Sequence, residues 1–526
     1  MTGRASRVIS VLGILASGAA ADLWAQQPRP RALSLEDALE LAVPASDGVA
    51  IARADVRRAE GEVKRVRADL LPQLTGTASY TRTIKSQFNL GSGRVDSTAT
   101  TSCDRFSADP SLPIGQRVDS LERTVECLSA LNPFAALADL PFGRKNQYNL
   151  GLSFSQTLFS SSILKGRPKA AVAGRRLARL GVTTAEAQAQ LNVTQGYFDA
   201  VLTDRLAAIA ELSLAQAETT LAQTRLARQV GTKPEFDQLR ATVTRDNQRA
   251  IVLQRRSQRT LAFLRLNQLL GLPLEQPLIL TTTLDEVPGV DVERPDSLGV
   301  IQGDTSVSHR AAVQQAEEAV TIQKVLTDVT RWDRLPTVTL KSAFARIGYP
   351  KDGLPWNADF VSDWTVGVSL SVPLWTSGRL TGNTWVAEAS LAQAQARASQ
   401  ARDGAALDSH RAVEQLQTAL ASWSATQGTV AQAERAYEIA TIRYQEGIST
   451  QTELTDARLQ LAQAQANRAV AARDVQVARA RLRLLRDLPL EGAEVAQTLS
   501  NAATGLQNSQ QSAPSTGTAG TNGTTP

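Results

Sequence analysis

One order of secondary-structure patterns runs through this sequence twice: a helix, two strands, a long helix and a second helix. Patterns repeated at long range indicate duplicated units that bury their apolar faces against each other. Internal duplication is therefore the main constraint on the fold of this chain. The helical patterns are predicted at residues 35–70, 169–230, 235–270, 307–332, 380–446 and 450–488.

The two halves share a register as well as an order of elements. A glycine follows each long helix, and Gly231 and Gly447 are 216 residues apart. The same offset places Ala241 on Ala457 in the helix that follows each glycine. Glycine adopts positive φ without a steric penalty, so we expect both residues to end a helix and reverse the chain.

Four short segments alternate apolar and polar residues with period two, which predicts half-buried strands. Their polar face carries mostly Thr, Ser, Gly and Asn rather than charges, which suits the wet lumen of a barrel whose other face meets lipid. Tyr80, Tyr148 and Trp364 lie near the predicted strand ends, where interfacial aromatic residues are expected. A soluble four-stranded sheet is the alternative. The predicted strands are residues 74–82, 148–158, 338–348 and 364–374, of which the third is interrupted by Arg346 and Ile347.

Four strands cannot close a barrel, and an open sheet edge is not tolerated in hydrocarbon. If the strands enter a membrane, copies of the chain must share the barrel. Eight, twelve or sixteen strands would come from two, three or four copies.

The N-terminus resembles a secretory signal peptide. Arg4 and Arg7 precede the apolar run 8–21, and cleavage is expected after Ala21 or Ala25. A short buried helix is the alternative interpretation. No later run reaches the ~18 apolar residues of a transmembrane helix.

An insertion separates the first two strands and contains both cysteines of the chain, Cys103 and Cys127. Disulfides are stable in exported proteins, so a bond between the two is predicted. The insertion, residues 83–145, is expected to form a polar extracellular loop. Residues 272–303 are predicted to link the repeats, and the low-complexity tail 501–526 to be disordered.

The composition does not favour an enzyme or a nucleic-acid partner. His309 and His410 are the only histidines, they are far apart, and no nucleophile elbow, phosphate loop or metal-ligand cluster occurs. The formal net charge of +5 is spread along helices, without a dense basic block. We therefore expect no catalytic residues, no metal and no cofactor.

Several of these residues together resemble the signature of TolC-type outer-membrane efflux proteins, over roughly residues 34–488. The order and duplication of the motifs carry the likeness, rather than any one of them. They are Tyr444, Gly447, Glu453-Leu454, Asp456-Ala457, Leu461 and Ala464, with Leu71-Pro72 and Leu335-Pro336 before strands, and Pro373-Leu374-Trp375, Gly378-Arg379 and Thr157-Leu158-Phe159 after strands.

The resemblance implies a mainly α protein with a membrane β-barrel. Two helix-strand-strand-helix-helix repeats, residues 26–271 and 304–500, would assemble as a homotrimer. Its twelve-stranded barrel in the outer-membrane lipid would continue as an α-helical barrel in the periplasm. The implied function is the exit duct of a tripartite system with a periplasmic adaptor protein and an inner-membrane pump of the RND or ABC type. An exported structural coiled-coil protein, and a duct for type I protein secretion rather than drug efflux, are the alternatives.

The resemblance also assigns roles at the periplasmic tip. Glu453 and Asp456 would ring the constriction, so that a trimer places six carboxylates around the ion path. Tyr444 would help to hold the tip closed. The salt link known in the family has no counterpart at Ser449 and Gln229.

Glu453 and Tyr444 also have ordinary structural interpretations. Thr450 and Glu453 fit a helix capping box, and Tyr444 could simply pack between helices.

Overall fold

A computed structural model describes residues 30–84, 106, 109–130, 146–284, 303–350 and 354–490. The predicted signal peptide, most of the linker between the repeats and the C-terminal tail lie outside these residues. Cys103 also lies outside them, so its disulfide with Cys127 stays a prediction.

The predicted order of elements is present twice. Eight α-helices cover the described residues as α1 (Leu35–Ala45), α2 (Asp47–Ala68), α3 (Ile114–Ala130), α4 (Arg167–Gln229), α5 (Glu235–Leu269), α6 (Ala311–Trp332), α7 (Arg379–Gln445) and α8 (Gln451–Leu484). The six described strands are β1 (Arg31–Leu33), β2 (Gln73–Arg82), β3 (Asn146–Phe159), β4 (Leu278–Leu280), β5 (Thr337–Gly348) and β6 (Phe360–Ser371).

Two helical patterns differ from the prediction. The pattern at 35–70 is two helices, α1 and α2, separated at Ser46. The pattern at 307–332 begins as a 3-10 turn, Val307–His309, before α6 starts at Ala311. None of the helices in the described ranges is both long and apolar enough to cross a bilayer.

The insertion between β2 and β3 was predicted as a polar loop, and this prediction is wrong for part of it. Residues Ile114–Ala130 form the amphipathic helix α3, which contains Cys127. Apolar residues recur at helical spacing in this segment, at Ile114, Val118, Leu121 and Val125. Each of these side chains is exposed in the single chain.

The chain divides into two compact units, and each takes segments from both halves of the sequence. The first contains residues 1–55, 178–315 and 399–526, and the second contains residues 56–177 and 316–398.

The second unit holds one antiparallel sheet with the order β2-β3-β5-β6. The register pairs even-numbered residues with even-numbered residues across all four strands, apart from a bulge near the end of β3. Apolar side chains lie on the face formed by the even-numbered residues. On this face Leu152, Phe344 and Trp364 are register partners across β3, β5 and β6. Because β2 and β6 each have one free edge among the described strands, the sheet is open on both sides.

The fourth strand starts and ends earlier than predicted. It runs from Phe360 to Ser371 rather than from 364 to 374. Pro373 has no N–H to donate to a ladder, which explains the end before it. Trp364 consequently lies four residues inside the strand, whereas Tyr80 and Tyr148 lie close to strand ends.

The core of the first unit lies where β1 and β4 form a short parallel pair. Tyr197 of α4 is fully buried there, and its hydroxyl donates to the Leu33 carbonyl at 2.9 Å. The same hydroxyl accepts from the Thr282 N–H at 3.0 Å. The side chain thus fastens both short strands to α4, while buried alanines on α7 and α8 allow these helices to approach closely.

Candidate functional site

The predicted tip residues all lie in the first unit, where two helical hairpins reverse direction. At the second reversal, Gly447 has a φ of 75° and its N–H donates to the Tyr444 carbonyl at 3.2 Å. The N–H of Ile448 donates to the Arg443 carbonyl at 2.8 Å. These two bonds define a Schellman motif, which requires the left-handed conformation that glycine adopts most easily.

The first reversal has the same backbone geometry. Gly231 has a φ of 79°, and its N–H donates to the Arg228 carbonyl at 2.9 Å. Thr232 completes the motif with a bond of 2.9 Å to the Ala227 carbonyl. The structure therefore contains the reversal predicted at each glycine.

Tyr444 connects the second hairpin to the first. Only 6% of this residue is exposed, and its hydroxyl lies 3.3 Å from the Thr224 hydroxyl on α4. The Thr224 hydroxyl donates its own proton to the Thr220 carbonyl at 2.8 Å. Because that proton is already in use, Tyr444 must be the donor in the bond to Thr224.

A cation also contacts the Tyr444 ring. The ammonium of Lys233, in the first reversal, lies 3.6 Å from the ring centroid, well within the range of a cation–π interaction. We call Thr224, Lys233 and Tyr444 the tip latch, since two of its members come from the first hairpin and one from the second.

Glu453 takes part in the cap of α8. The Thr450 hydroxyl accepts from the Glu453 N–H at 3.3 Å and donates to its carboxylate at 3.5 Å. The side chain of Glu453 is nevertheless exposed. Capping of the helix and a role in the pore are therefore compatible for this residue.

Asp456 lies on the same face of α8, three residues further on, and is also exposed. Among the described residues, its carboxylate has no hydrogen bond and no ion pair. It has no local structural role comparable with that of Glu453.

The first turn of α8 is held against α5 by Gln451, which is buried. The neighbouring backbone groups assign the orientation of its amide: the nitrogen then donates to the Asp237 carbonyl at 3.1 Å, and the oxygen accepts from the Ala241 N–H at 3.2 Å. Further along α8 lies Arg458, which is also buried and whose pKa is lowered by burial. Both residues line a small cavity of about 10 Å³, together with small side chains of α4 and α5.

The two hairpins differ at equivalent positions. The 216-residue offset aligns Tyr444 with Arg228, which forms an ion pair with Glu235 at 3.2 Å and donates to Gln238 at 2.9 Å. Arg228 thus contacts residues of its own hairpin, whereas Tyr444 contacts residues of the other hairpin.

Sequence reasoning found Tyr444, Glu453 and Asp456 but missed Thr224, Lys233 and Gln451. Lys233 had a usable signal, because it follows a turn glycine closely in a hairpin that must lie beside the second one. Thr224 and Gln451 gave no signal, since Thr and Gln recur throughout both helices. In the ranges that the structure describes, no group of three or more His, Cys, Asp or Glu side chains could hold a metal ion.

A model of the outer membrane efflux protein family matches residues 136–272 and 304–486, together more than half of the chain. The chain belongs to the outer membrane efflux protein family. This finding confirms the resemblance to TolC-type proteins, and it gives one matched segment for each half of the duplication. Members of the family are channels that span the outer membrane and extend into the periplasm, and they work as trimers with adaptor and pump partners.

Solved outer-membrane proteins share the fold. The CmeC outer membrane channel of Campylobacter jejuni superposes with a TM-score of 0.64 at 15% identity, covering 94% of this chain and 98% of that chain. The outer membrane protein VceC of Vibrio cholerae gives 0.62 at 19% identity, covering 86% and 95%. The open state of the MtrE outer membrane channel of Neisseria gonorrhoeae gives 0.58 at 17% identity, covering 86% and 89%. No curated protein sequence matches the chain.

Proposed function

We propose that three copies of this chain form the passive exit duct of a tripartite export system. The duct would receive substrate from an inner-membrane pump of the RND or ABC type through a periplasmic adaptor protein. Family membership supports this role, and so does the open sheet, whose two free edges can pair with other copies. Nothing in the proposed role requires the chain itself to catalyse a reaction.

The observation that carries the proposal is the pair of exposed carboxylates beside the second reversal. Glu453 and Asp456 share one face of α8 directly after the chain turns at Gly447. In a trimer their face can supply six carboxylates to a narrow opening, where screening by water is weak. We infer that this ring selects cations and binds divalent cations at the tip.

Conductance of the purified protein in planar bilayers tests this assignment. The double variant Glu453→Gln, Asp456→Asn should lose cation preference and block by divalent cations, while it still forms heat-sensitive trimers. Asp474→Asn, further along α8, is the matched control and should conduct like the wild type, because this carboxylate pairs with Arg473 at 2.9 Å.

Each outcome has a separate meaning. Unchanged selectivity in the double variant would show that the carboxylates are ordinary surface groups of the helix. A protein recovered as a soluble periplasmic monomer would reject the duct itself.

A further inference from the structure

The apolar face of the sheet carries very few charges. This face consists of the even-numbered residues of β2, β5 and β6, and of β3 as far as Gln156. Within it, the only charged residues are Arg82 and Arg346. Both are positive, and no Asp or Glu on the same face of the described strands compensates them.

Both arginines lie at the same end of the sheet. Arg82 is the last residue of β2, and Arg346 is the third residue from the end of β5. The opposite strand ends are the ones that connect to α2, α4, α6 and α7 along the chain. Because members of the family extend their helices into the periplasm, the arginines lie at the end that faces the cell exterior.

The side chain of Arg346 leans toward that exterior end. Its register partner on β6 is Ser362, but its guanidinium carbon lies 5.6 Å from the ring centroid of Phe360, one step closer to the strand end. The Phe360 ring in turn covers Gly348, where an added Cβ would come within 2.9 Å of it. The guanidinium is thus carried away from the apolar middle of the face, as a long cationic side chain near a membrane interface does.

Two tyrosines also lie on this face near its exterior end. Tyr80 and Tyr148 stack with their ring centroids 4.8 Å apart. The Tyr80 hydroxyl donates to the Asn146 side chain at 3.0 Å, and Asn146 is the register partner of Arg82. The tyrosines and both arginines of this face therefore lie in the last rows before the exterior end, which matches an interfacial aromatic belt.

Arg82 and Arg346 are both exposed, and neither forms an ion pair or a hydrogen bond among the described residues. A guanidinium binds phosphate through two parallel hydrogen bonds, and it does so most strongly where water is scarce. Anionic headgroups attract Arg and Lys at a membrane surface. We propose that Arg82 and Arg346 bind the anionic, phosphate-bearing headgroups of outer-leaflet lipids. The proposal uses the outer-membrane location of the family and goes beyond the duct function.

Native mass spectrometry of the full-length protein, released from a neutral detergent, tests the proposal. Wild-type protein equilibrated with phosphatidylglycerol should retain at least about five times more lipid than protein equilibrated with zwitterionic phosphatidylcholine. The double variant Arg82→Gln, Arg346→Gln should lose this preference, and Arg82→Lys, Arg346→Lys should keep most of it. Lys341→Gln is the matched control, because Lys341 lies on the opposite, polar face of β5.

Equal retention of both lipids by the wild type would overturn the proposal, and so would an unchanged preference in the glutamine variant. If that variant yields too little assembled protein, the single variant Arg346→Gln decides, with a partial loss expected. Conductance should be unchanged in all these variants, so a failure of the lipid proposal is distinguishable from a failure of the duct.

Discussion

Neutralising Asp408 should destabilise the first unit more than any surface substitution. This carboxylate on α7 accepts from the guanidinium of Arg310, just before α6, at 2.6 Å. It also accepts from Arg481 on α8 at 2.9 Å. One carboxylate thus joins the start of the second helix-strand-strand set to both of its later helices.

The burial of these side chains decides the expected magnitude. The exposed fraction of the side chain is 0% for Arg310, 5% for Asp408 and 15% for Arg481. Removing one partner of a buried ion pair leaves an uncompensated buried charge, which typically costs about 3–5 kcal/mol. Asp408→Asn leaves the fully buried guanidinium of Arg310 without its counter-charge, so the free energy of unfolding should fall by about that amount.

An exposed ion pair of similar length is the control. Arg331 and Glu388 lie 2.9 Å apart with 57% and 45% of their side chains exposed. Exposed pairs contribute about 0–1 kcal/mol, so Glu388→Gln should have little effect. The measurement is the midpoint of denaturant unfolding followed by helical circular dichroism, with the slope taken from each curve.

A double-mutant cycle with Arg310→Gln isolates the interaction between the two groups. The double variant should be less destabilised than the sum of the two single variants, because it removes both members of the buried pair, whereas each single variant leaves one of them unpaired. A shift for Asp408→Asn no larger than that for Glu388→Gln would refute the argument from burial.

Three further outcomes are expected. Gly447→Ala should lower stability by about 1–2 kcal/mol because φ is 75° there, whereas Gly428→Ala inside α7 should raise it by up to about 1 kcal/mol; equal shifts in unfolding midpoint would contradict this. Burial raises the pKa of Asp333 above 3.8, so between the unfolded and folded pKa values this carboxyl holds a proton in the folded state that it lacks in the unfolded state. Stability should therefore fall as pH rises from the unfolded value through the folded one, and Asp333→Asn should remove that slope from a series of melting curves. Lys233→Met should weaken closure of the tip by about 1 kcal/mol, roughly a fivefold change in open probability in bilayers, and Lys233→Arg should restore it; an equal effect of both substitutions at Lys233 would exclude the cation–π contact.

Most of the fold could be predicted because its signals are periodic. The long helices start and end within two residues of the predicted bounds, since an unbroken helical pattern ends only where Gly231 and Gly447 allow the chain to reverse. The paired strands were found from alternation alone. The parallel pair of β1 and β4 was missed, because three residues are too few to show any period.

The site could be predicted only in part. Glu453 and Asp456 were proposed from their spacing and from the family resemblance, and their role in the pore stays a prediction. The partners of Tyr444 were not found, because Thr224 lies 220 residues away in the sequence and only the packing of α4 against α7 brings the two hydroxyls together. A contact of that kind depends on tertiary structure and leaves no local pattern.

The tip latch and the buried triad of Arg310, Asp408 and Arg481 hold the second hairpin at two different places. The triad fixes the middle of α7 at Asp408, whose partner Arg310 is fully buried. This part of the helix cannot move without separating that buried ion pair. The latch fixes the end of α7 by a cation over a ring and by one hydrogen bond between hydroxyls, at Tyr444. Contacts of the second kind are each worth about 1 kcal/mol, well below the cost of breaking a buried ion pair. A force that pulls on the tip would therefore release the end of α7 before it disturbs the core.

The first hairpin has no contact equivalent to Tyr444, because Arg228 is already paired within its own turn. We therefore propose that the tip opens by movement of the second hairpin against the first, because the two halves of the duplication differ at this position.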